Sequence, residues 1–449
     1  MKKIHHDLLL RSIKLLNLLL MSVPFGFVWG AAYAEKACLN GYRAENYLIA
    51  ALFIVLYCIF GRIYEAFQIS TKRISEMVYS QSLSALAADA IMFVVIWLLV
   101  RGFPAVLPMV LCLVAQSLIA VVWSFLSNKL YYCIFPPKST VIVDDGYRGV
   151  DKMIRKYGLE RKYALKQKIS AEECMEDLSV LDDVDVVFIS GIHSKERNII
   201  LKYCVAKGIQ LLVLPRIGDV VMSSATPSHL FHIPMLSVKR YNATPEYLFM
   251  KRTMDIVISL IALLVLSPIM LVVAIAIKMY DGGPAIYSQV RLTKDGETFS
   301  IYKFRSMRTD AEKDGVARLS TGDHDDRITP IGKVIRKLRF DELPQLINIL
   351  KGELSIVGPR PERPEIAAEY QKEMPEFVLR LQAKAGLTGY AQVYGKYNTP
   401  PYDKLQMDLM YIAHPSILED IKIIIATVKI LFMPESTEGV EEGKVTAVK

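Results

Sequence analysis

Long apolar runs alternate with short polar segments over the first third of the chain. The runs cover residues 8–33, 47–67, 83–100 and 106–126. Each is near the ~20 residues that a helix needs to cross a bilayer. The first run fits a cleaved signal peptide poorly, because basic residues interrupt its start and three more runs follow. We therefore predict a four-helix transmembrane bundle over residues 1–135.

Basic residues are unevenly distributed among the loops that join these runs. They concentrate before the first run, after the second and after the fourth. By the positive-inside rule, both ends of the bundle face the cytoplasm, so we expect a multi-pass protein of the bacterial inner membrane. Asp89 is an acid within the third run. Intramembrane acids are often functional, but Asp89 is near one end of the run and we expect it at the interface.

Residues 136–245 show a different pattern, in which β-rich runs such as STVIVDDG, DVDVVFIS and IQLLVLP alternate with helical stretches. This alternation predicts a parallel α/β sheet of Rossmann type. The first strand is followed by Asp144 and Asp145 and not by G-x-G-x-x-G. Two acids would repel a pyrophosphate. We expect a degenerate Rossmann-like module that regulates or oligomerises the protein and does not bind NAD.

Another apolar run covers residues 256–279 and contains Ser267 and Pro268 near its middle. Proline removes a backbone hydrogen bond and kinks a helix. Both flanks are basic, so a spanning helix would place one basic flank outside the cell. We predict a re-entrant helix over residues 252–280 that enters the bilayer, breaks at Ser267-Pro268 and returns. A fifth spanning helix is the alternative.

Composition and charge agree with a membrane protein. Hydrophobic residues make up 52% of the chain and the mean hydropathy is +0.29, too apolar for an ordinary soluble protein of this length. The formal net charge of +8 could attract nucleic acid, anionic lipid or phosphorylated substrates. Together with the long apolar runs, it favours lipid and phosphate over nucleic acid.

Two adjacent carboxylates, Asp341 and Glu342, precede a short predicted helix that ends at Gly352. Its apolar face consists of Leu343, Leu346, Ile347 and Leu350. Basic residues flank the pair, and neighbouring cations lower the pKa of a carboxyl group, so we expect both acids to be ionised at neutral pH. One could act as a nucleophile and the other could hold Mg²⁺. Acids also open helices for dipole reasons alone, so the spacing leaves both interpretations open.

Two more polar segments are candidates for chemistry. In the YKFRSM run, Lys303 and Arg305 could bind phosphate or lipid headgroups, or could form a solvated basic face. The GDHDDR loop contains Asp323, His324, Asp325 and Asp326. These side chains could form a metal site, although such a cluster is more often a solvated turn.

Several motifs resemble those of the bacterial sugar transferases, the monotopic phosphoglycosyl transferases. They are YKFRSM, DRITPIGKVIRK, FDELPQLINILKGELSIVGPRP and GLTGYAQVYG, and the similarity covers residues 251–433. The resemblance implies an α/β catalytic domain over residues 246–433. The composition of residues 434–449 predicts a polar tail. It also implies that Asp341 is the nucleophile, that Glu342 with Asp341 supports Mg²⁺, and that Arg336 is catalytic.

The family's reaction transfers a sugar 1-phosphate from a UDP-sugar to polyprenyl phosphate and releases UMP. Carried over, it predicts undecaprenyl phosphate as the acceptor and glucose or galactose as the sugar. In the mechanism that we predict, Arg360 binds phosphate oxygens, and Lys303 and Arg305 are further candidate phosphate ligands. We expect a first step in capsule or exopolysaccharide synthesis, and a homodimer is plausible. The alternative is a non-catalytic membrane scaffold with a Rossmann-type sensor module.

Overall fold

The computed structural model describes residues 2–37, 43–100, 102–146, 149–241, 243–308, 311, 327–395 and 399–431. The chain divides into two compact units, Met1–Leu214 and Pro215–Lys449. The predicted GDHDDR metal site lies outside the described residues, as does the tail at 434–449.

The first unit begins with helices that pack side by side. They are α1 (Lys2–Val28, continued by a π-helix at Trp29–Tyr33), α2 (Arg43–Ile63), α3 (Ile74–Leu99) and α4 (Leu107–Ile134). Helix α1 packs against α2 and α4, and α3 packs against the same two helices. Each is long and apolar enough to cross a membrane. Their outward faces carry exposed leucine, valine and isoleucine side chains.

All four helices extend beyond the predicted apolar runs, and α3 and α4 extend furthest. Helix α3 begins at Ile74, well before residue 83, and α4 continues past residue 126 to Ile134. The added turns of α3 contain Ser80 and Gln81, which are fully buried. Hydropathy missed them because these polar side chains face other helices and not lipid.

Polar side chains form hydrogen bonds between these helices. The Asn17 amide donates to Gln81 Oε1 at 3.1 Å, and the Tyr57 hydroxyl donates to Asn17 Oδ1 at 3.0 Å. Asp89 is 2% exposed and lies well inside α3, which runs from Ile74 to Leu99, so the reason for expecting it near an end of the segment does not hold. Its interfacial position stays a prediction.

The first unit also contains a parallel sheet. Its elements are β1 (Lys138–Asp144), α5 (Val150–Lys156), β2 (Tyr163–Ile169), α6 (Ala171–Glu176), β3 (Val186–Ser190), α7 (Ser194–Lys207) and β4 (Gln210–Val213). The strand order is β2-β1-β3-β4, and all neighbours are parallel. The predicted parallel α/β module is therefore present. Strand β2 was not predicted, because as an exposed edge strand it has no apolar run.

The turn after β1 holds its acids by local contacts. Asp144 Oδ2 lies 2.9 Å from Lys168 Nζ, and Asp145 Oδ1 accepts a hydrogen bond from the Ala171 amide at 2.9 Å. Both partners lie at the end of β2 or the start of α6. The acids therefore join β1 to its neighbour, and the expectation that this turn does not bind NAD stays a prediction.

The second unit contains the remaining elements. They are α8 (Ile217–Ser223), β5 (Thr226–Leu230), β6 (Ile233–Ser237), α9 (Pro245–Asp281), β7 (Ile286–Leu292), β8 (Thr298–Phe304), α10 (Pro330–Lys337), α11 (Gln345–Lys351), β9 (Ser355–Val357), α12 (Pro364–Glu373), β10 (Gly386–Thr388), α13 (Tyr390–Tyr394), α14 (Pro401–Ala413) and α15 (Ile417–Leu431). Ile217 and Val220 are buried in the same core as α11, β9 and α14. The division between the two compact units thus falls after Leu214, inside the predicted module at 136–245, and the predicted domain bounds stay predictions.

The first half of α9 is bound to this unit by buried polar contacts. Lys251 Nζ lies 2.9 Å from Asp420 Oδ2, and Arg252 donates to the last carbonyls of α11, at Ile349 and Leu350. Asp255 accepts hydrogen bonds from β9. Lys251 and Arg252 therefore have partners within the protein, so their charges are not the free basic flank that the sequence suggested.

The second half of α9 packs against the same unit. Val273 and Ile277 share a core with Phe304 of β8 and Ile335 of α10. Asp281, the last residue of α9, forms an ion pair with Arg305. Between these two anchored halves, Ser267 Oγ donates to the Leu264 carbonyl, and α9 continues as one helix through Pro268. The helix therefore does not break at Ser267-Pro268 as predicted, and the re-entrant path stays a prediction.

Helix α11 is joined to β8 by a buried asparagine. Asn348 is fully buried; its amide donates to the Ser300 carbonyl and to Glu353, and its Oδ1 accepts from the Tyr302 amide at 3.0 Å. The predicted face of α11 was only partly right, since Asn348 and Ile349 are more buried than Ile347 and Leu350. Gly352 ends the helix in the left-handed conformation, as predicted.

We predict that Asn348→Leu destabilises the protein by about 2–4 kcal/mol, because it leaves two buried backbone groups of β8 without a partner. Thermal unfolding of the detergent-purified protein checks this. The matched control is Glu369→Ala at an exposed position of α12. Equal melting temperatures for the two variants would contradict the bridging role.

Candidate active site

A sharp turn brings α10 and the acid pair together. Helix α10 ends at Lys337, and Arg339 has a φ of 55°, in the left-handed region that non-glycine residues seldom occupy. A 3₁₀ turn, Phe340–Glu342, follows directly and leads into α11. The turn therefore holds both acids on a short, constrained segment between two packed helices.

The Glu342 carboxylate is held by two cations from distant parts of the chain. Its Oε1 lies 3.0 Å from Lys303 Nζ on β8 and accepts a hydrogen bond from Arg360 Nη2 at 2.8 Å. The Glu342 side chain is only 14% exposed. Charge-assisted hydrogen bonds are strongest in such places, where little water competes.

The environment shifts the pKa values of the two acids in opposite directions. Burial alone would raise the pKa of Glu342, but Lys303 and Arg360 outweigh it and the net pKa is lowered. Burial and the Glu342 charge raise the pKa of Asp341, although Lys303, Arg336 and Arg360 oppose this rise. The lowered pKa predicted from neighbouring cations is thus right for Glu342 and wrong for Asp341, because the sequence does not show burial.

The predicted site residues divide into two groups. Lys303, Arg336 and Arg360 are close enough to Asp341 for their charges to lower its pKa. Arg305 is 8% exposed and forms its ion pair with Asp281, at the end of α9. The ion pair of Arg305 with Asp281 fixes the end of α9. The role of Arg305 as a phosphate ligand stays a prediction.

An apolar groove of about 480 Å³ adjoins the acid pair. Its lining residues come from α9 and from α10 with the turn that follows: Pro268, Ile269, Val272, Val273, Ala276, Ile331, Val334, Ile335, Leu338 and Phe340. Phe340 is the residue directly before Asp341. Sequence reasoning missed the groove; the signal was the spacing of Ile331, Val334, Ile335 and Leu338 on one face of α10.

The acid pair fits a divalent cation in part. Mg²⁺ prefers oxygen ligands and is often held by one or two carboxylates together with substrate phosphates. Asp341 and Glu342 interact electrostatically, and the contacts of Glu342 with Lys303 and Arg360 both go to the same oxygen, Oε1. Within the described residues, no group of three His, Cys, Asp or Glu side chains forms a complete protein cage. An ion held by this pair would complete its coordination with waters or substrate oxygens.

The fold and the site define a membrane-associated protein whose α/β unit places two acids among cations beside an apolar groove. The family model described as "Bacterial sugar transferase" matches residues 246–434. A putative undecaprenyl-phosphate N-acetylgalactosaminyl 1-phosphate transferase of Bacillus subtilis is 49% identical over 138 residues, which is 31% of this chain and 76% of that protein. This chain belongs to the bacterial sugar transferase family.

Two longer relatives match over smaller shares of their length. A UDP-N-acetylgalactosamine-undecaprenyl-phosphate N-acetylgalactosaminephosphotransferase of Aeromonas hydrophila is 36% identical over 232 residues, 51% of this chain and 54% of that protein. A UDP-glucose:undecaprenyl-phosphate glucose-1-phosphate transferase of Escherichia coli is 37% identical over 204 residues, 44% of this chain and 42% of that protein. The aligned parts thus span about half of these two proteins.

We predict opposite effects on stability when each acid is neutralised. The pKa of Asp341 in the folded protein is raised above its value of about 4 in the unfolded chain. Its ionised form therefore destabilises the fold once the pH exceeds that unfolded-state pKa. Asp341→Asn should therefore raise the melting temperature at pH 7.5, and the gain should vanish below about pH 4. Such a gain is typical of residues kept for function.

Glu342→Gln should lower the melting temperature at pH 7.5. The folded-state pKa of Glu342 is depressed, so its ionisation stabilises the fold above the unfolded pKa of about 4.3, and this contribution is lost as the pH falls through the folded value. Thermal unfolding from about pH 3 to 8 checks both variants. Shifts of the same sign would contradict the opposite environments.

Proposed function

We propose that this protein transfers a sugar 1-phosphate from a UDP-sugar to undecaprenyl phosphate through a covalent phosphosugar on Asp341, with release of UMP. The observation that carries the proposal is the acid pair set among Lys303, Arg336 and Arg360. Three cations suit a diphosphate substrate, and a carboxylate among them can attack phosphorus. The names of the relatives favour the same acceptor lipid.

The first step exchanges one phosphorus–oxygen bond for another. An Asp341 carboxylate oxygen attacks the β-phosphorus of the UDP-sugar, and the bond to the bridging oxygen of UMP breaks. Arg336 and Arg360 bind phosphate oxygens, because the guanidinium fork matches their geometry. Asp341 must be ionised to attack, and Lys303 with the two arginines favours that ionised form against burial.

The second step returns Asp341 to its starting state. An oxygen of the polyprenyl phosphate attacks the same phosphorus, and the bond to Asp341 breaks. Mg²⁺ held by Glu342 and Asp341 would neutralise charge on the phosphate oxygens. Glu342 stays ionised because its pKa is lowered, so it remains available as an anionic ligand throughout.

The contacts of α9 support a re-entrant membrane helix. Lys251 and Arg252 near its start, and Asp281 at its end, all bind residues of one unit. A helix that spanned the bilayer would need these partners on both sides of the membrane. The middle of α9 exposes large apolar side chains, including Leu264 at 76% and Val265 at 63%. A helix bent at Pro268 places that region in lipid and both ends at one face.

We also infer which side of the membrane the other parts of the chain face. Helices α1–α4 form a four-helix transmembrane bundle, and both of its ends face the cytoplasm by the distribution of basic residues. The catalytic unit then lies where nucleotide sugars are made.

The sugar is open to test, since the relatives are named for N-acetylgalactosamine and for glucose. Our expectation from the sequence was glucose or galactose, and UDP-sugars of all three kinds belong in the assay.

We expect Asp341→Asn to abolish UMP release and covalent labelling, since an amide is not a nucleophile here. Purified protein with Mg²⁺ and labelled UDP-sugar, without lipid, is assayed for UMP and for label on the protein. Asp295→Asn, at an exposed position of the same unit, is the matched control and should keep full activity. UMP release by folded Asp341→Asn protein would refute the nucleophile.

The same assay separates the alternatives. A non-catalytic scaffold forms no UMP with any UDP-sugar. A transferase in which the lipid phosphate attacks directly shows no label and gives ternary-complex kinetics, whereas a covalent relay gives ping-pong kinetics.

We expect Val334→Asp to slow the second step and spare the first. Val334 lines the apolar groove and is 58% exposed, so it can contact the isoprenoid chain without supporting the core. A charge there disfavours the lipid. Labelled protein should form at the normal rate but pass its sugar to lipid ~10-fold or more slowly. The control is Val290→Asp, at an exposed position of β7; equal transfer rates would exclude the groove as the lipid site.

A further inference from the structure

The segment Pro359–Glu362 is held through four consecutive carbonyl oxygens. Each oxygen accepts a hydrogen bond from a different donor. Pro359 accepts from the Gly386 amide at 2.9 Å, Arg360 from Arg380 Nη2 at 2.8 Å, Pro361 from Arg291 Nη1 at 3.2 Å, and Glu362 from the Leu292 amide at 2.9 Å. The donors belong to β7, β10 and the 3₁₀ turn Pro375–Gln382.

The prolines explain why these carbonyls matter. Pro359 and Pro361 have no N–H group, so this segment cannot be fixed by its own amides as a strand would be. Its position therefore depends on the donors that reach its carbonyl oxygens. Arg360 lies between the two prolines, and its side chain donates to Glu342 Oε1 at 2.8 Å.

Arg380 is itself held firmly. It is 5% exposed, its Nη2 lies 2.7 Å from Asp408 Oδ2 on α14, and its guanidinium stacks 4.9 Å from the centre of the Phe377 ring. Asp408 is 1% exposed. A buried arginine with an acid on one side and a carbonyl on the other has little freedom to move, so the Arg360 backbone has little freedom either.

We propose that Arg380 and Asp408 are a positioning pair that fixes Arg360 for its contact with the substrate diphosphate. The pair touches no reacting atom and acts through the Arg360 carbonyl. This inference rests on the proposed function, because it gives Arg360 a phosphate to bind. It extends that function by making the reaction rate depend on residues of α14 and of the 3₁₀ turn, away from the acid pair.

A buried ion pair is weak evidence of a stabilising role, since apolar residues of similar size often stabilise a fold equally well. The chain offers a comparison. Lys251 and Asp420 form another buried pair in the same unit, at 2.9 Å, and the contacts of that pair are to tyrosines and not to the Pro359–Glu362 segment. A general effect of losing a buried charge can therefore be measured separately.

The main test replaces the pair by apolar residues, Arg380→Met with Asp408→Leu, in the full-length protein. This double variant should fold, but the Arg360 carbonyl loses its donor. We expect the rate of covalent labelling from UDP-sugar to fall on the order of 100-fold, as for a misplaced binding group. The final amount of label per polypeptide should stay near wild type. A merely structural role would lower the amount of label and leave the rate unchanged.

A double-mutant cycle with Arg360→Met tests whether the pair acts through Arg360. In that background, the pair replacement should slow labelling by less than about 3-fold, because the group it positions is already gone. Asp420→Asn is the control, and its effect should be the same with or without Arg360. If the double variant does not fold, Asp408→Asn keeps the side-chain shape and should slow labelling on the order of 10-fold.

Normal labelling rates in the folded double variant, or an undiminished effect of the pair replacement in Arg360→Met, would overturn the positioning role. Failure of the proposed function looks different, since wild-type protein would then form no label with any UDP-sugar. The two results are distinguished by the wild-type reaction alone.

Discussion

One carboxylate oxygen, Glu342 Oε1, joins three separate parts of the catalytic unit. It binds Lys303 from β8 and Arg360 from the proline-rich segment, while Glu342 itself lies on the turn between α10 and α11. Two cations on a buried carboxylate offset the cost of its burial. The positive charges of Lys303, Arg336 and Arg360 also act on the neighbouring Asp341 and favour its ionised form. The rest of the site depends on this arrangement, because it fixes the acids relative to Lys303 and Arg360.

The surrounding fold is built to keep these elements in register. Asn348 joins α11 to β8, and the carbonyl contacts of Pro359–Glu362 fix Arg360 from the other side. Arg252 of α9 donates a hydrogen bond to the Ile349 carbonyl of α11, and the second half of α9 packs against Phe304 of β8. Since α9 also lines the apolar groove, the membrane segment and the acid pair are parts of one packed structure.

The two acids show how position decides chemistry between adjacent residues. Glu342 has its cations in direct contact and a lowered pKa, whereas Asp341 has burial and a neighbouring negative charge that raise its pKa. Two adjacent carboxyl groups whose pKa values differ in this way can take different roles. The one with the lowered pKa can serve as a metal ligand that stays ionised, and the one with the raised pKa can serve as a more basic nucleophile.

The sequence by itself determined the features that depend on local pattern. Apolar length predicted membrane helices, strand–helix alternation predicted the parallel module, and the Asp-Glu motif identified the site. Only the tertiary structure decided the partners, because Lys303 and Arg360 lie 39 and 18 residues from Glu342. It also showed that Arg305 pairs with Asp281, that Asp89 is buried, and that α3 begins at Ile74. Burial and charge pairing are set by contacts between distant segments, and no local pattern encodes them.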